Sequence, residues 1–358
     1  MARAESESHP FQATVSDMTN AAGPTPSLGS ASADTLTLAD LSEGEVLARI
    51  FPRLPQATAE LLGPGDDAAV IAAPDGRFVV TTDMMIHGPD FRLAWSTPHD
   101  LGWKAAATNL SDVAAMGATP SALVVAIAAP PHTPISVIEG IADGLRACCE
   151  ALSPGCGVVG GDLSASDTLT LAVTAFGDLG GRPPVLRSGA RPGDVVAIAG
   201  RLGEAAAGLE LLFRHGVDDA GNPDAARAAE LKLTHPHAIA AQLRPEPPVV
   251  LGPVAALGGA TAMLDVSDGL AIDAGRIARA SGVGIDFDSR TLGERIEVSL
   301  GGGEDHGLLA TFPVDVPLPV GFRAIGVVTA EVGAILVDGA PHDQGGWDPY
   351  RGWNGAVG

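Results

Sequence analysis

The stretch ATAMLDVSDGLAIDAGRIARAS (260–281) decides the reading of the C-terminal half. Its apolar run, Ala262 to Leu264, enters Asp265-Val266-Ser267-Asp268-Gly269 directly. Apolar residues then recur at helical spacing to about Ala280, so the stretch predicts strand, turn and helix with two carboxylates flanking the strand end. The same unit occurs earlier, where Val195 to Ala199 runs into Gly200-Arg201-Leu202-Gly203 and a helix from Glu204. A Gly-rich turn before a helix suits phosphate binding, but it more often serves packing. Upstream, RPPVLRSGARPG (182–193) interrupts the periodicity with Pro, Gly and Arg, which predicts a boundary between two units.

The first unit reads as a short helix, Glu43 to Phe51, then strands at Ala68 to Ala72 and Phe78 to Thr82. Thr97-Pro98 is a cap and first-turn signal for a helix to Met116, where Gly117 and Pro120 stop it. A strand at Ala122 to Ala128, a helix from Thr133-Pro134 to about Leu152, and strands at Val158-Val159 and Leu169 to Phe176 follow. This is an α+β pattern with helices on one face of a sheet. Residues 1–38 are rich in Ser, Thr, Ala, Gly and Pro and have no apolar period, so they are expected to stay outside the fold. The expected organisation is an extension over 1–38, an N-terminal domain over 39–182 and a C-terminal α/β domain over 183–358. A chain of 358 residues exceeds the usual single-domain size, which favours two cores.

The formal charge of −22 disfavours nucleic acid and anionic membranes as partners. No apolar run is long enough to cross a bilayer. Cys148, Cys149 and Cys156 lack zinc-ligand spacing, and the first residues lack a secretory pattern, so a reducing cytoplasm is expected. An acidic protein still binds anions when divalent cations stand between its carboxylates and the ligand.

The positions of the acids therefore matter more than their total. Asp66 and Asp67 precede a strand, Asp83 ends one in VVTTD, Asp162 ends another in VVGGD, and Asp265 and Asp268 flank a third. Asn109 and Asp112, three apart, share a face of the first long helix. Such acids beside Gly or Ser suggest one shared Mg²⁺ site, with Thr81 and Thr82 as auxiliary oxygen donors. No G-x-x-x-x-G-K-[ST] occurs and Lys104 and Lys232 are the only lysines, so charge neutralisation is assigned to metals and to Arg187 in LRSGARPGD. Taken singly, each GDD or GGD is more often a turn and Arg187 a surface ion pair. The histidines, His306 among them, read as structural or solvent-facing.

In combination, GPGDDAAV (63–70), TTDMMIHGPDF (81–91), NLSDVAAMGA (109–118), GGD (160–162), LRSGARPGD (186–194), DVSDGL (265–270) and GGGEDHGLL (301–309) resemble the thiamine-monophosphate kinase family. The wider superfamily includes aminoimidazole ribonucleotide synthetase, selenophosphate synthetase and a hydrogenase maturation protein. The resemblance implies a two-domain fold of the aminoimidazole ribonucleotide synthetase type, whose N-terminal sheets pair into a barrel in a homodimer. It implies Mg²⁺ held by Asp67, Thr81, Thr82, Asp83, Asp112, Asp162, Asp265 and Asp268, with Asp83, Asp112 and Asp162 at the centre of catalysis. Gly161, Asp162, Arg187 and Ser267 would contact ATP. Glu304 would contact the thiamine moiety, with an aromatic residue, Trp353 or Tyr350, near the C-terminus. Where the family has His in G-x-H-F, this chain has Gly88-Pro89-Asp90-Phe91, which puts Asp90 at the substrate.

The implied activity is direct, in-line transfer of the γ-phosphoryl of ATP to thiamine monophosphate. The acceptor is an already ionised phosphate, so no strong base is needed. Two rivals are another ATP-dependent enzyme of the superfamily and a nucleotide- or metal-binding relative without turnover. The chain lacks the N-terminal reactive Cys with Lys of selenophosphate synthesis and the C-terminal Cys of hydrogenase maturation.

Overall fold

The computed structural model describes residues 36–64 and 68–343. The N-terminal half contains α1 (Glu43–Ile50), β1 (Glu60–Leu62), β2 (Val70–Ile71), β3 (Val79–Ile86), α2 (Pro98–Ala115), β4 (Thr119–Ala129), α3 (Ile135–Leu152), β5 (Gly157–Ala165) and β6 (Thr170–Asp178). The order matches the sequence reading apart from β1. The fold also begins earlier than residue 39, because Leu38 N–H donates to Thr133 O and Ile135 N–H to Leu36 O at 3.0 and 2.9 Å.

Strands β3-β6-β4-β5 form one sheet, antiparallel except for the β4–β5 pair that α3 connects. Helix α2 starts at Thr97, whose hydroxyl accepts from Asp100 N–H while Asp100 accepts from Thr97 N–H, the reciprocal capping arrangement. Thirteen of its eighteen residues are buried, so α2 is an interior helix rather than a surface one. Gly102 and Gly144 let α2 and α3 touch: a Cβ on Gly102 would lie 2.0 Å from Ile141 O, and one on Gly144 would lie 2.1 Å from His99 O.

The C-terminal half contains β7 (Val195–Ala199), α4 (Glu204–His215), α5 (Ala225–Thr234), α6 (Pro236–Leu243), α7 (Leu251–Leu257), β8 (Ala262–Val266), α8 (Leu270–Ser281), β9 (Gly284–Phe287), α9 (Ile296–Gly301), β10 (Gly307–Phe312), β11 (Phe322–Thr329), β12 (Ile335–Val337) and β13 (Ala340–Pro341). Its sheet runs β13-β12-β9-β11-β7-β10-β8. Period-two alternation divides its side chains between two cores. Ala197, Ala199, Met263, Leu308 and Ala310 pack with α2 and the N-terminal sheet, whereas Val196, Ile198, Leu264, Val266 and Leu309 pack with α8. Helix α2 therefore carries one face against β3 and β6 and another against β8 and β10. Thr108 and Asp112, in the later turns of α2, are only partly buried.

Among the described residues no helix covers the far face of the N-terminal sheet. Val80, Thr82, Met84 and Ile86 alternate with the inward residues of β3 and are exposed. All three cysteines are buried free thiols, and no helix among the described residues is long and apolar enough to cross a membrane.

Candidate active site

A cavity of about 840 Å³ opens where α2, the end of β3, the turn after β8, α4, α6 and the segment before β10 meet. Four of its six carboxylates are Asp83 from β3, Asp112 from α2, and Asp265 and Asp268 from the β8 turn, with Ser267 between the last two; Asp90 and Glu304 are the others. Helical spacing places Lys104, Thr108 and Asp112 on the same wall, one turn apart each. Thr81, two residues before Asp83 on the same side of β3, donates its hydroxyl to Asp112 Oδ2 at 2.7 Å.

The strands carry these acids differently from the sequence reading. Strand β3 continues to Ile86 and β5 to Ala165, so Asp83 and Asp162 lie inside strands rather than at their ends. Alternation then separates the expected metal set. Thr82 faces away from Asp83 and Asp112, its hydroxyl bonded to Val173 O and accepting from Thr174 Oγ1. Asp162 pairs in register with Ala126, is exposed, and accepts from Ser164 Oγ. Gly161 is exposed beside it, and a Cβ there would meet Val125 O at 2.0 Å. Arg187 is exposed outside the cavity, its carbonyl accepting from Ser281 Oγ. Asp67, Tyr350 and Trp353 lie outside the described residues.

Burial pushes the Asp112 carboxyl up to about 7, reinforced by the charges of Asp265 and Asp83 and opposed by the Thr81 hydroxyl. Burial also raises Asp83, opposed by His306 and reinforced by Asp265. These acids crowd one another, yet among the described residues no three His, Cys, Asp or Glu side chains already stand close enough to grip a cation. Two face basic side chains: Asp268 accepts from Arg276 at 2.5 Å, and Asp265 faces His306 Nδ1 at 3.0 Å. Burial disfavours the His306 imidazolium, but the Asp265 hydrogen bond and the charges of Asp265 and Glu304 outweigh it, so its pKa is raised.

The turn between β8 and α8 is organised by Asp273. Its Oδ2 accepts from the N–H groups of Ser267, Asp268 and Gly269 at 3.1, 3.0 and 3.2 Å, and Arg276 binds its other oxygen. On the opposite wall Asp305 accepts from Gly203 N–H and Ala205 N–H at 2.5 and 2.8 Å, which fixes the start of α4. Glu304 and His306, on either side of it, have φ of 66° and 51°, left-handed values uncommon for residues other than Gly. That kink turns Glu304 and His306 to the cavity while Asp305 turns to α4.

Glu304 is half-buried and its Oε2 accepts from Lys104 Nζ and Gln242 Nε2, both at 2.5 Å. Lys104 also donates to Gln242 O at 3.1 Å. Asp90 lines the cavity too, but its Oδ2 accepts from Ile86 N–H at 2.7 Å and so closes its own turn. Sequence reasoning missed Lys104, His306, Asp273 and Gln242. The first was legible in the Lys104, Thr108, Asp112 spacing; the others depend on contacts that run 6 positions from Asp273 to Ser267, 41 from His306 to Asp265 and 62 from Gln242 to Glu304.

Residues 65–179 match the AIR synthase related protein N-terminal domain, and residues 191–341 match the corresponding C-terminal domain. The thiamine-monophosphate kinase of Mycobacterium tuberculosis is 43% identical over 332 residues, 88% of this chain and 92% of that protein. That of Corynebacterium glutamicum is 44% identical over 313 residues, 83% and 88% of the two chains. Among solved structures, AaThiL complexed with AMPPCP and TMP superposes with a TM-score of 0.66 at 32% identity, covering 79% of this chain and 90% of that one.

Proposed function

The chain belongs to the thiamine-monophosphate kinase family of the AIR synthase related proteins, and from that premise we propose that it transfers the γ-phosphoryl group of ATP to thiamine monophosphate, forming thiamine diphosphate. The observation that carries the reading is one cavity with two kinds of wall. Four carboxylates and Ser267 form one wall, while Phe91, Trp95, Leu209, Leu212 and Phe213 form the other. Phosphates brought together with divalent cations fit the first, and an apolar heterocycle fits the second. The relatives' name and the paired ligands of AaThiL are in keeping with it.

The donor set suits Mg²⁺: hard oxygens of Asp83, Asp112, Asp265 and Asp268, with Thr81 behind Asp112. Bound Mg²⁺ supplies charge neutralisation for the phosphates and for carboxylates that otherwise repel one another. Thr81 orients Asp112, Asp273 holds the Ser267–Asp268–Gly269 turn, and Lys104 places a positive charge in the cavity wall. The acceptor oxygen is ionised, so the residues need only align it with the γ-phosphorus and exclude water. Gly161, Asp162 and Arg187 are assigned to ATP, and Asp67, Thr82 and Asp162 to metal, from the family motifs alone. Trp353 is assigned to the substrate on the same basis.

We further assign a homodimer, because the helix-free face of the N-terminal sheet exposes Phe78, Val80, Met84 and Ile86. A cytoplasmic setting keeps the three thiols reduced. The test is turnover of ATP and thiamine monophosphate with and without a chelator. Thiamine diphosphate formed only with Mg²⁺ supports the reading, and no product at saturating Mg²⁺ rejects it.

A further inference from the structure

Arg92 is the buried arginine of the described residues, 9% exposed, and it lines the active-site cavity. Its guanidinium has no carboxylate or carbonyl partner there. It is held instead by ring faces, 4.6 Å from the Trp95 centroid and 4.7 Å from that of Phe213. The two rings meet edge to face at 5.1 Å, and Trp95 is anchored by Nε1–H donating to Gly216 O at 2.7 Å. A guanidinium held by ring contacts rather than by a carboxylate or carbonyl keeps its N–H donors for something else. None of its nitrogens is among the sealed, unpartnered polar atoms of the described residues, so the unused donors open into the cavity, where a ligand can take them.

The surroundings narrow what that ligand atom is. Arg92 belongs to the connection between β3 and α2 and faces the apolar side chains of α4; Asp90 of the same connection is turned onto Ile86 N–H, and the clustered Asp83, Asp112, Asp265 and Asp268 come from β3, α2 and the β8 turn. A phosphate placed there would be desolvated against Leu209 and Leu212 with one cation to offset two charges. A neutral aromatic ring with one hydrogen-bond acceptor meets both the apolar wall and the donor. Resting on the functional reading above, the acceptor carries two rings, a cationic thiazolium and a neutral aminopyrimidine. Like charge keeps the thiazolium from Arg92 and draws it toward the carboxylates.

We propose that Arg92, seated over the Trp95–Phe213 ring pair, is a specificity-determining residue that donates a hydrogen bond to a ring nitrogen of the substrate's pyrimidine. The orientation of the acceptor in the cavity follows from it, pyrimidine toward α4 and phosphate toward Asp83 and Asp112.

The test compares thiamine monophosphate with two analogues in which one or the other pyrimidine ring nitrogen is replaced by C–H, using the full-length enzyme and Arg92→Met and Arg92→Lys. The wild type should show a KM about tenfold or more higher for one analogue, the size of a hydrogen bond to a charged donor. Arg92→Met should raise the KM for thiamine monophosphate by about the same factor and abolish discrimination between it and that analogue. The KM for ATP should stay within about twofold, and kcat should fall less than KM rises. Arg92→Lys keeps the cation in its cage but lacks the fork, and should discriminate weakly. Equal KM for all three substrates in the wild type overturns the assignment, and that measurement needs no variant to fold. So does a loss in Arg92→Met that falls equally on all substrates or on kcat, which would mark a phosphate contact. Failure of the wild type to phosphorylate thiamine monophosphate at all would overturn the functional reading, and the assignment with it.

Discussion

Lys104 Nζ lies 2.5 Å from Glu304 Oε2, joining two residues 200 positions apart across the cavity wall. The pair changes what Glu304 offers a substrate. A free carboxylate would attract the thiazolium by charge; a carboxylate already matched by a buried lysine offers mainly a hydrogen-bond acceptor. Glu304 is also no helix cap, because Asp305 holds the start of α4.

Glu304→Gln should therefore raise the KM for thiamine monophosphate and also lower stability, by about 1–3 kcal/mol, since Lys104 is left as a buried unpaired ammonium while the half-exposed position of Glu304 tempers the loss. Combining it with Lys104→Met should restore most of the melting temperature without restoring KM. A single variant with unchanged stability would show that water satisfies Lys104 without Glu304.

Asp112 carries the pH dependence. Its carboxyl is pushed from the ordinary range near 3.8 up to about 7, so the folded state binds the proton more tightly than the unfolded chain. Without divalent cations that contribution is full below about pH 4, falls as pH rises through about 7, and is lost above it. Asp112→Asn should melt higher than the wild type at pH 8 in chelator, and the gap should close toward pH 5. Mg²⁺ should raise the wild-type melting temperature more than the variant's, and the variant should lose phosphoryl transfer by about 100-fold or more. Equal melting curves at pH 8 would place Asp112 outside the crowded set.

What the sequence disclosed and what it hid follow the range of the contacts. Thr97-Pro98 and Asp100 announce the start of α2 locally, and Ala262 to Gly269 announces a strand and turn. Motif order marked Asp83, Asp112, Asp265 and Asp268. The sidedness of Thr82 and Asp162 was hidden because it depends on where β3 and β5 end, and both run three residues beyond the acid that seemed to end them. The pairing of Lys104 with Glu304 was hidden because α2 must first be sandwiched between the sheets, and that of His306 with Asp265 because β8 and β10 must first pair. A His in GGGEDHG read alone is indistinguishable from a solvent-facing one.

Asp273 should prove as important as the acids that line the cavity. Asp273→Ala removes the acceptor shared by three backbone N–H groups and leaves Arg276 with Asp268 alone. Three donors, that of Gly269 buried and the other two partly so, losing one acceptor should cost about 2–4 kcal/mol and disorder the turn carrying Ser267 and Asp268. Asp273→Asn keeps an acceptor oxygen and should retain most of the stability. Its kcat should still drop, because loss of the charge redirects Arg276 wholly onto Asp268. Thermal melts and kcat on both variants check this, and full activity in the Ala variant would refute it.

The exposed face of the N-terminal sheet gives the last prediction. Val80 is 56% exposed and Met84 59%, on the side of β3 that carries Thr82 and, across the sheet, Asp162. An apolar sheet face of this kind is disfavoured in water, and a second copy related by a two-fold axis covers it at no cost in new sequence. Val80→Asp buries a charge in that interface but touches no residue of the carboxylate cavity, so it should convert a dimer to a monomer while the isolated subunit stays folded. If Thr82 and Asp162 complete the site only when the face is covered, the same variant should also lose activity, and the loss should shrink as protein concentration rises. Deleting residues 1–35 should change neither property. Light scattering and turnover measured across the same concentration series decide it: a wild-type monomer at micromolar concentration sinks the dimer, and a fully active Val80→Asp monomer separates catalysis from assembly.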